Sequence, residues 1–439
     1  MTTTFKRFIA IAFVLEVMML SNAHSATELV IATVNNGHMI EMQKLSKNFE
    51  LTNPTIKLKW VTLDESELRK RVTNDIATQG GQFDVMTIGM YETPIWAKKG
   101  WLKELKTDEA YDVDDLLPAM RSGLTFNGKL FAAPFYGESS MLMYRKDLAD
   151  KVGIQLPNRP TWTEIKALAS KIHDPKNGVY GICLRGKPGW GDNMAFVTTL
   201  ANSFGGQWFD MKWKPQLESK PWKDAVNFYV DLLKNYGPPN SQANSFNEIL
   251  ALFNAGKCGM WVDATIAASF ITDPKQSKVA DKIAFTQAPS MITSKGAGWL
   301  WAWALAIPSS TNKADAAQTF VRWATSKEYI KLVGQTNGLA SVPTGTRKST
   351  YGNTGFLAVA RFAVAERMAI DVVNPNDATL LKSPYVGVQF AAIPEFSDIA
   401  NGVALQISNA LEGKIIVDAA LKESQIIADQ EMKKAGYYK

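Results

Sequence analysis

Three short apolar runs, ELVIATV (28–34), IKLKWVTL (56–63) and FDVMTIG (83–89), are separated by stretches that read as helices, Met39 to Leu51 and Glu65 to Gln79. Strand, helix, strand at this spacing builds βαβ units, whose crossovers bring successive strands into one sheet. This alternation predicts an α/β protein with a largely parallel sheet. It resumes after position 160, where TWTEIKALASKI opens on Thr161 with Glu164 three residues on, a capping box. GVYGICL then reads as a strand, DNMAFVTTLANSFGG and WKDAVNFYVDLLKNYG as helices, and FNEILALFNAGKCGMWV as a helix passing through Gly256 into a strand. The last third predicts helices over 314–325, 327–336, 354–373, 394–411 and 416–434.

The amino terminus is of a different kind. Lys6 and Arg7 precede the apolar run Phe8 to Leu20, and Ser21 to Ala26 are mostly small residues. That order is a secretory signal peptide, residues 1–26, even though Glu16 interrupts the run. Cleavage after Ser25 or Ala26 fits, and Ala26 is taken as the last residue removed. The run is shorter than the roughly 20 apolar residues a membrane span needs, and no cysteine stands nearby to carry a lipid. A periplasmic protein is expected. Removing 26 of the 439 residues leaves 413, enough for two domains.

The formal charge of +6 falls to +5 without the signal and is not gathered into runs, so a nucleic-acid surface is not expected. Cys183 and Cys258 both sit in strand-like segments. Export permits a disulfide between them, and two buried thiols would serve equally well. With His24, His38 and His173 scattered, no zinc site and no cofactor are expected.

Several segments resemble the maltose-binding type of bacterial extracellular solute-binding proteins. SMLMYRKDLADKVGIQLPNRPTWTEI (140–165) is similar to the stretch that follows their first domain, and ILALFNAGKCGMWVDAT (249–265) to their F-x-x-G-K-x-A-M block. AAQTFVRWATSKEYIKLVGQTNGLASVPT (316–344) resembles their helix pair and glycine-proline turn, and ALEGKIIVDAALKESQ (410–425) their terminal helix. Within that family, LRGKPGWGDN (184–193) and GAGWLWAWALAIP (296–308) are similar to receptors for sugar alcohols of the sorbitol/mannitol type. The resemblance implies a periplasmic binding protein-like fold of type II: two discontinuous α/β domains, a hinge and a ligand cleft between them. The first lobe would comprise 27–137 plus 287–340 and the second 138–286 plus 341–439, with hinges near 136–140, 286–290 and 338–343. It also implies a monomer that delivers a polyol or sugar to an ABC importer's membrane permease.

A polyol presents dense hydroxyls on a thin apolar backbone, so its site must combine polar partners with flat apolar walls. Glu138 falls where the chain would first cross between lobes, at a family position that often contacts sugar; a surface turn is the plain alternative. Trp261 and Asp263 share parity on a strand and so point the same way. Trp190, Asp192 and Asn193 lie in a glycine-rich turn entering a helix, where Asp192 would serve equally as a cap. Arg185 could fork across two hydroxyls or hold a carboxylate in place. Asn35 and Asn36, and Tyr91 and Glu92, follow strands at the carboxyl edge where open α/β sheets bind ligands, although Asn-Asn-Gly is also an ordinary turn. Gly298, Trp299 and Trp301 are placed at the cleft, Trp303 is expected in the core, and Arg347 follows the last crossing.

No catalytic signature appears, so no enzyme is expected. A secreted glycoside hydrolase is the rival from another class, since it too would carry tryptophans and a carboxylate pair. A receptor for a disaccharide or a polyamine is the nearer alternative, but a polyamine site would lean on several acids, whereas Asn36, Arg185 and Asn193 suit hydroxyls.

Overall fold

Residues 26–438 are described by a computed structural model. The signal peptide lies almost wholly outside them. The described residues form nine strands: β1 (Thr27–Val34), β2 (Ile56–Leu63), β3 (Val85–Ile88), β4 (Thr125–Phe126), β5 (Lys129–Leu130), β6 (Ala132–Arg145), β7 (Met260–Ala264), β8 (Ile283–Gln287) and β9 (Leu300–Ala306). All but the β4–β5 hairpin join one sheet in the order β2-β1-β3-β9-β6-β7, with β8 also paired to β6.

The expectation of a largely parallel sheet is corrected. Only β1–β2 and β1–β3 are parallel; β3–β9, β6–β9, β6–β7 and β6–β8 are antiparallel. The parallel part is the βαβ alternation of the first 90 residues. The rest is antiparallel because β6 and β9 do not return through crossover helices but run through the middle of the molecule as crossing segments. Ala132 to Ser139 of β6 pair with β9, whereas Ser140 to Arg145 lie between β7 and β8.

Helices cover each part of the sheet. Helix Gly37–Thr52 buries Met39, Met42 and Phe49, helix Glu65–Thr78 buries Leu68, Val72 and Ile76, and helix Ala314–Ala324 adds Phe320, all against the parallel strands. Around the far end pack helices Asn193–Ser203, Lys220–Tyr236, Phe396–Glu412 and Val417–Lys434. Helix Asn193–Ser203 is buried at every position, which explains its weak amphipathic pattern. The box at Thr161 and Glu164 forms in both directions, at 3.2 Å from Glu164 N to Thr161 Oγ1 and 2.7 Å from Thr161 N to Glu164 Oε2.

Two further expectations change. GVYGICL is not a strand of the sheet and makes only isolated bridges, Val179 to Asp174, Tyr180 to Cys258 and Cys183 to Trp261. The helix expected over 354–373 is two, Thr354–Val359 and Ala363–Asp371, because the chain turns at Ala360 to bury Phe362 against Phe285 and Phe356. Among the described residues no helix is long and apolar enough to cross a membrane.

Cys183 and Cys258 form a disulfide, with Cα atoms 5.8 Å apart and a separation of 75 positions in sequence. It ties the segment carrying Arg185 to the entrance of β7. Closing a loop of that length restricts the unfolded chain by about 4 kcal/mol in the chain-entropy account. Replacing both cysteines by serine should lower the urea midpoint accordingly, and an unchanged midpoint would show that the bond contributes nothing to stability.

Candidate ligand-binding site

The register of β6 against β9 builds one wall. Tyr136 is opposite Trp303 and Glu138 opposite Trp301, and directly paired residues present side chains on one face. Four side chains thus converge on a chamber of about 80 Å³, which Trp299, Trp190, Arg185, Asp192, Asn35, Asn36, Glu65 and Arg69 also line. Its roof is the end of β1 and the first turn of helix Glu65–Thr78; the loop 184–193, residues 245–248 and the end of β7 close the opposite side.

The roof and that side touch across the chamber. Asn247 Nδ2 donates to Asn35 O at 2.7 Å, and Ser66 Oγ to Asp192 Oδ2 at 3.0 Å. Ser269 Oγ stands 3.3 Å from His38 Nε2, where burial pushes the imidazole pKa down to about 4.

Two arginines organise the charges. The Arg69 guanidinium lies 4.0 Å from the ring centre of Trp190 and 4.8 Å from those of Trp301 and Trp303, a cation–π arrangement on three indoles. It is held by Glu65 at 2.8 and 3.0 Å and by Glu92. Burial opposes its charge, yet Glu92 and Glu65 raise its pKa overall. Arg185 makes a two-point bond to Asp263 at 2.8 and 2.6 Å, and Trp261 Nε1 donates to the same carboxylate at 2.9 Å. A further bond reaches Gly191 O at 2.9 Å.

Glu138 has no such partner. Burial pushes its pKa up to about 8; the Asp263 and Glu65 carboxylates add to the rise, and Arg185 and the Trp299 indole counter it. At neutral pH it is therefore mainly a protonated acid, able to donate one hydrogen bond and accept others. Trp301 Nε1 is buried with no hydrogen-bond partner. The chamber thus offers indole faces, a neutral carboxyl group and the polar side chains of Asn36, Arg185 and Glu65, a set suited to hydroxyls on a short apolar frame.

Of the residues singled out in the sequence, Asn35, Asn36, Glu138, Arg185, Trp190, Asp192, Trp299 and Trp301 line the chamber. Asn36 also caps helix Gly37–Thr52 through Met39 N and donates to Tyr136 Oη at 2.6 Å, so its turn role and its place in the wall coexist. Asp192 is not the side-chain cap of its helix; its second oxygen takes the Ser245 hydroxyl.

Others stand behind the wall. Trp261 and Asp263 do point the same way, but both are fully buried and spend their polar atoms on each other and Arg185. Glu92 braces Arg69 and accepts Gly89 N at 3.0 Å. The Tyr91 hydroxyl donates to the carbonyls of Ile393 and Pro394 at 3.0 Å, and its ring backs Trp190. Asn193 donates to Ala404 O at 3.0 Å. Gly298 faces away from the chamber, against Ser139 and Ser140. Arg347 is remote: buried, it donates to the carbonyls of Asp112 and Thr325, both at 3.1 Å, and pins a turn.

Trp303, expected in the core, lines the chamber, because its parity with Trp301 carries it onto the same face. Asp64, Glu65, Arg69, Tyr136, Lys187 and Gln389 were not foreseen there. The first three had a signal: they follow β2, at the carboxyl edge of a parallel strand, the rule that selected Asn35 and Tyr91. Gln389 had none, since it reaches the site only through bonds to Leu300 at 3.3 and 2.9 Å.

Comparison with known proteins adds the following. Residues 36–331 match the family described as bacterial extracellular solute-binding protein. The mannitol-binding protein of Pseudomonas aeruginosa is 53% identical over 418 residues, 95% of this chain and 96% of that one. The crystal structure of an ABC transporter solute-binding protein from Agrobacterium vitis S4, with bound D-mannitol, superposes with a TM-score of 0.93 at 55% identity, covering 94% of this chain and all of that one. A second, from Agrobacterium radiobacter K84 in complex with ribitol, has a TM-score of 0.82 at 24% identity over 92% and 98% of the two chains, a likeness of fold.

The raised pKa of Glu138 gives stability a definite pH dependence. Between the ordinary glutamate value of 4.5 and about 8 the folded chain holds a proton that the unfolded chain releases. The stabilisation is complete below that window, falls as pH rises through it, and is flat above. Glu138→Gln lacks the titration, so wild type should lose stability relative to the variant between about pH 5 and about pH 9 in urea titrations. A pH-independent difference would contradict the protonated assignment.

Proposed function

Because this chain belongs to the bacterial extracellular solute-binding proteins, we propose that it is the periplasmic receptor of an ABC importer, that it binds a sugar alcohol of the mannitol type between two lobes, and that it delivers the ligand to the membrane permease. The observation that carries the reading is the chamber's chemistry: indole walls beside a neutral Glu138 and the polar side chains of Asn36, Arg185 and Glu65. The likeness to the mannitol-bound Agrobacterium vitis protein supports the same ligand class. No covalent step is needed, and no relative reported above is named as an enzyme.

Trp190, Trp299, Trp301 and Trp303 would lie along the CH faces of the ligand. Glu138, Asn36, Arg185 and Glu65 would meet its hydroxyls, each unmatched buried group costing about 1–3 kcal/mol against a wrong ligand. The division into 27–137 plus 287–340 and 138–286 plus 341–439 is part of the proposal, and the change of partners along β6 after Ser139 supports a pivot there. Closing about that pivot would bring Asn35 to Asn247 and Ser66 to Asp192, and ligand would shift the population toward this closed form by binding it more tightly.

A thermal-shift and calorimetry panel of mannitol, sorbitol, arabitol, glucose, maltose and putrescine tests the ligand. Ligand at 100 times its Kd adds about 2.7 kcal/mol of stability, so shifts should be clear for mannitol and absent for putrescine. A response to maltose or putrescine alone would overturn the polyol reading while leaving a receptor. Trp301→Ala removes one indole wall and should weaken mannitol binding about tenfold or more; unchanged affinity would remove Trp301 from the site.

A further inference from the structure

Behind the wall that carries Trp299 lies a second cavity, of about 230 Å³. Ser139 and Ser140 of β6, Gly298, Arg159, Lys295 and Asp377 are among its lining residues. None of these side chains faces the first chamber. Ser139 is fully buried and its hydroxyl has no hydrogen-bond partner. The Ser140 hydroxyl accepts Trp299 N–H at 3.2 Å, which leaves its own proton to donate elsewhere. Arg159 is exposed at the mouth and makes no ion pair among the described residues, while Lys295 is shared with Asp377 at 2.8 Å. The Ser140 hydroxyl, a guanidinium and an ammonium thus stand with one carboxylate, a net positive, donor-rich lining, while the Ser139 hydroxyl is packed beneath Gly298.

We propose that this rear cavity is an effector site for a small oxyanion, coupled to the ligand chamber through the strand between them. An oxyanion fits because it only accepts hydrogen bonds, as the lining requires, and because a guanidinium fork matches two of its oxygens. Coupling follows from position. Ser139 is the last β6 residue paired to β9, opposite Leu300, and Ser140 the first paired to β7, opposite Ala264. Trp299, whose backbone Ser140 holds, presents its indole to the front chamber beside Glu138. An anion seated against Ser140 and Arg159 binds the arrangement in which Ser140 holds the Trp299 backbone, and therefore favours it. By reciprocity, front ligand and rear anion tighten each other by the same factor. The coupling rests on the polyol reading above; the rear site does not.

Inorganic phosphate and acetate are the probes, with chloride matched for ionic strength. Without polyol, phosphate should raise the melting temperature beyond the chloride control, and Arg159→Gln and Ser140→Ala should each abolish the difference. Acetate acting where phosphate does not would assign the site to carboxylates. With phosphate present the Kd for mannitol should fall about fivefold, and Arg159→Gln should lose this effect while keeping the wild-type Kd in chloride. No anion-specific shift, or the same shift in both variants, would overturn the site. Anion binding with an unchanged mannitol Kd would overturn the coupling alone, and a protein that responds to anion but not to mannitol would fault the polyol reading instead.

Discussion

Everything in this molecule hangs on one strand that changes partners. β6 is buried along all 14 of its residues. Its first part completes the sheet begun by the βαβ units, and its second part is the centre of a three-stranded antiparallel array. A strand cannot slip by one residue in one part without inverting its faces in the other, so the register of both halves is fixed together. That register puts Tyr136 and Glu138 beside Trp303 and Trp301, and leaves Ser139 and Ser140 at the handover. The front chamber and the rear cavity are the two sides of this seam.

Buried charge is the second organising element. Arg185 with Asp263, and Arg69 with Glu65 and Glu92, are ion pairs whose Coulomb attraction is offset by the cost of leaving water. Their value is geometric. Asp263, Trp261 and the disulfide at Cys183 hold Arg185 from behind; Glu92 holds Arg69 over the indoles. Glu138, which has no cationic partner in direct contact, answers its desolvation by keeping its proton. The same low dielectric that makes an unmatched polar group costly thus prepares a neutral donor in the middle of the chamber.

Much of this was written in local sequence. The alternation of strands and helices, the box at Thr161 and Glu164 and the glycine turn at Gly256 are short-range matters, and they appear as expected. The alternate spacing of Trp299, Trp301 and Trp303 is likewise local, and it carries all three to the chamber side. What local pattern could not show is which face meets the chamber, because that depends on a partner strand some 160 residues away. Trp303 was assigned to the core for this reason. Trp261 and Asp263 were assigned to the cleft from a correct parity argument, but the Arg185 side chain stands between them and the chamber.

Arg347 shows the same limit in reverse: an arginine after a crossing looks available, and only the fold reveals Asp112, Asp115 and Thr325 closing around it. The pairing of Cys183 with Cys258 was open because a sequence carries no Cα separation. The sequence by itself determined the α/β class through its periodicity and the family through segments that resemble known receptors, and it offered a set of residues suited to hydroxyls as an expectation. Only the tertiary structure decided which residues touch the chamber, which brace them, and that Glu138 is left protonated. Burial and pairing are properties of space around a side chain, set by segments far apart in the chain.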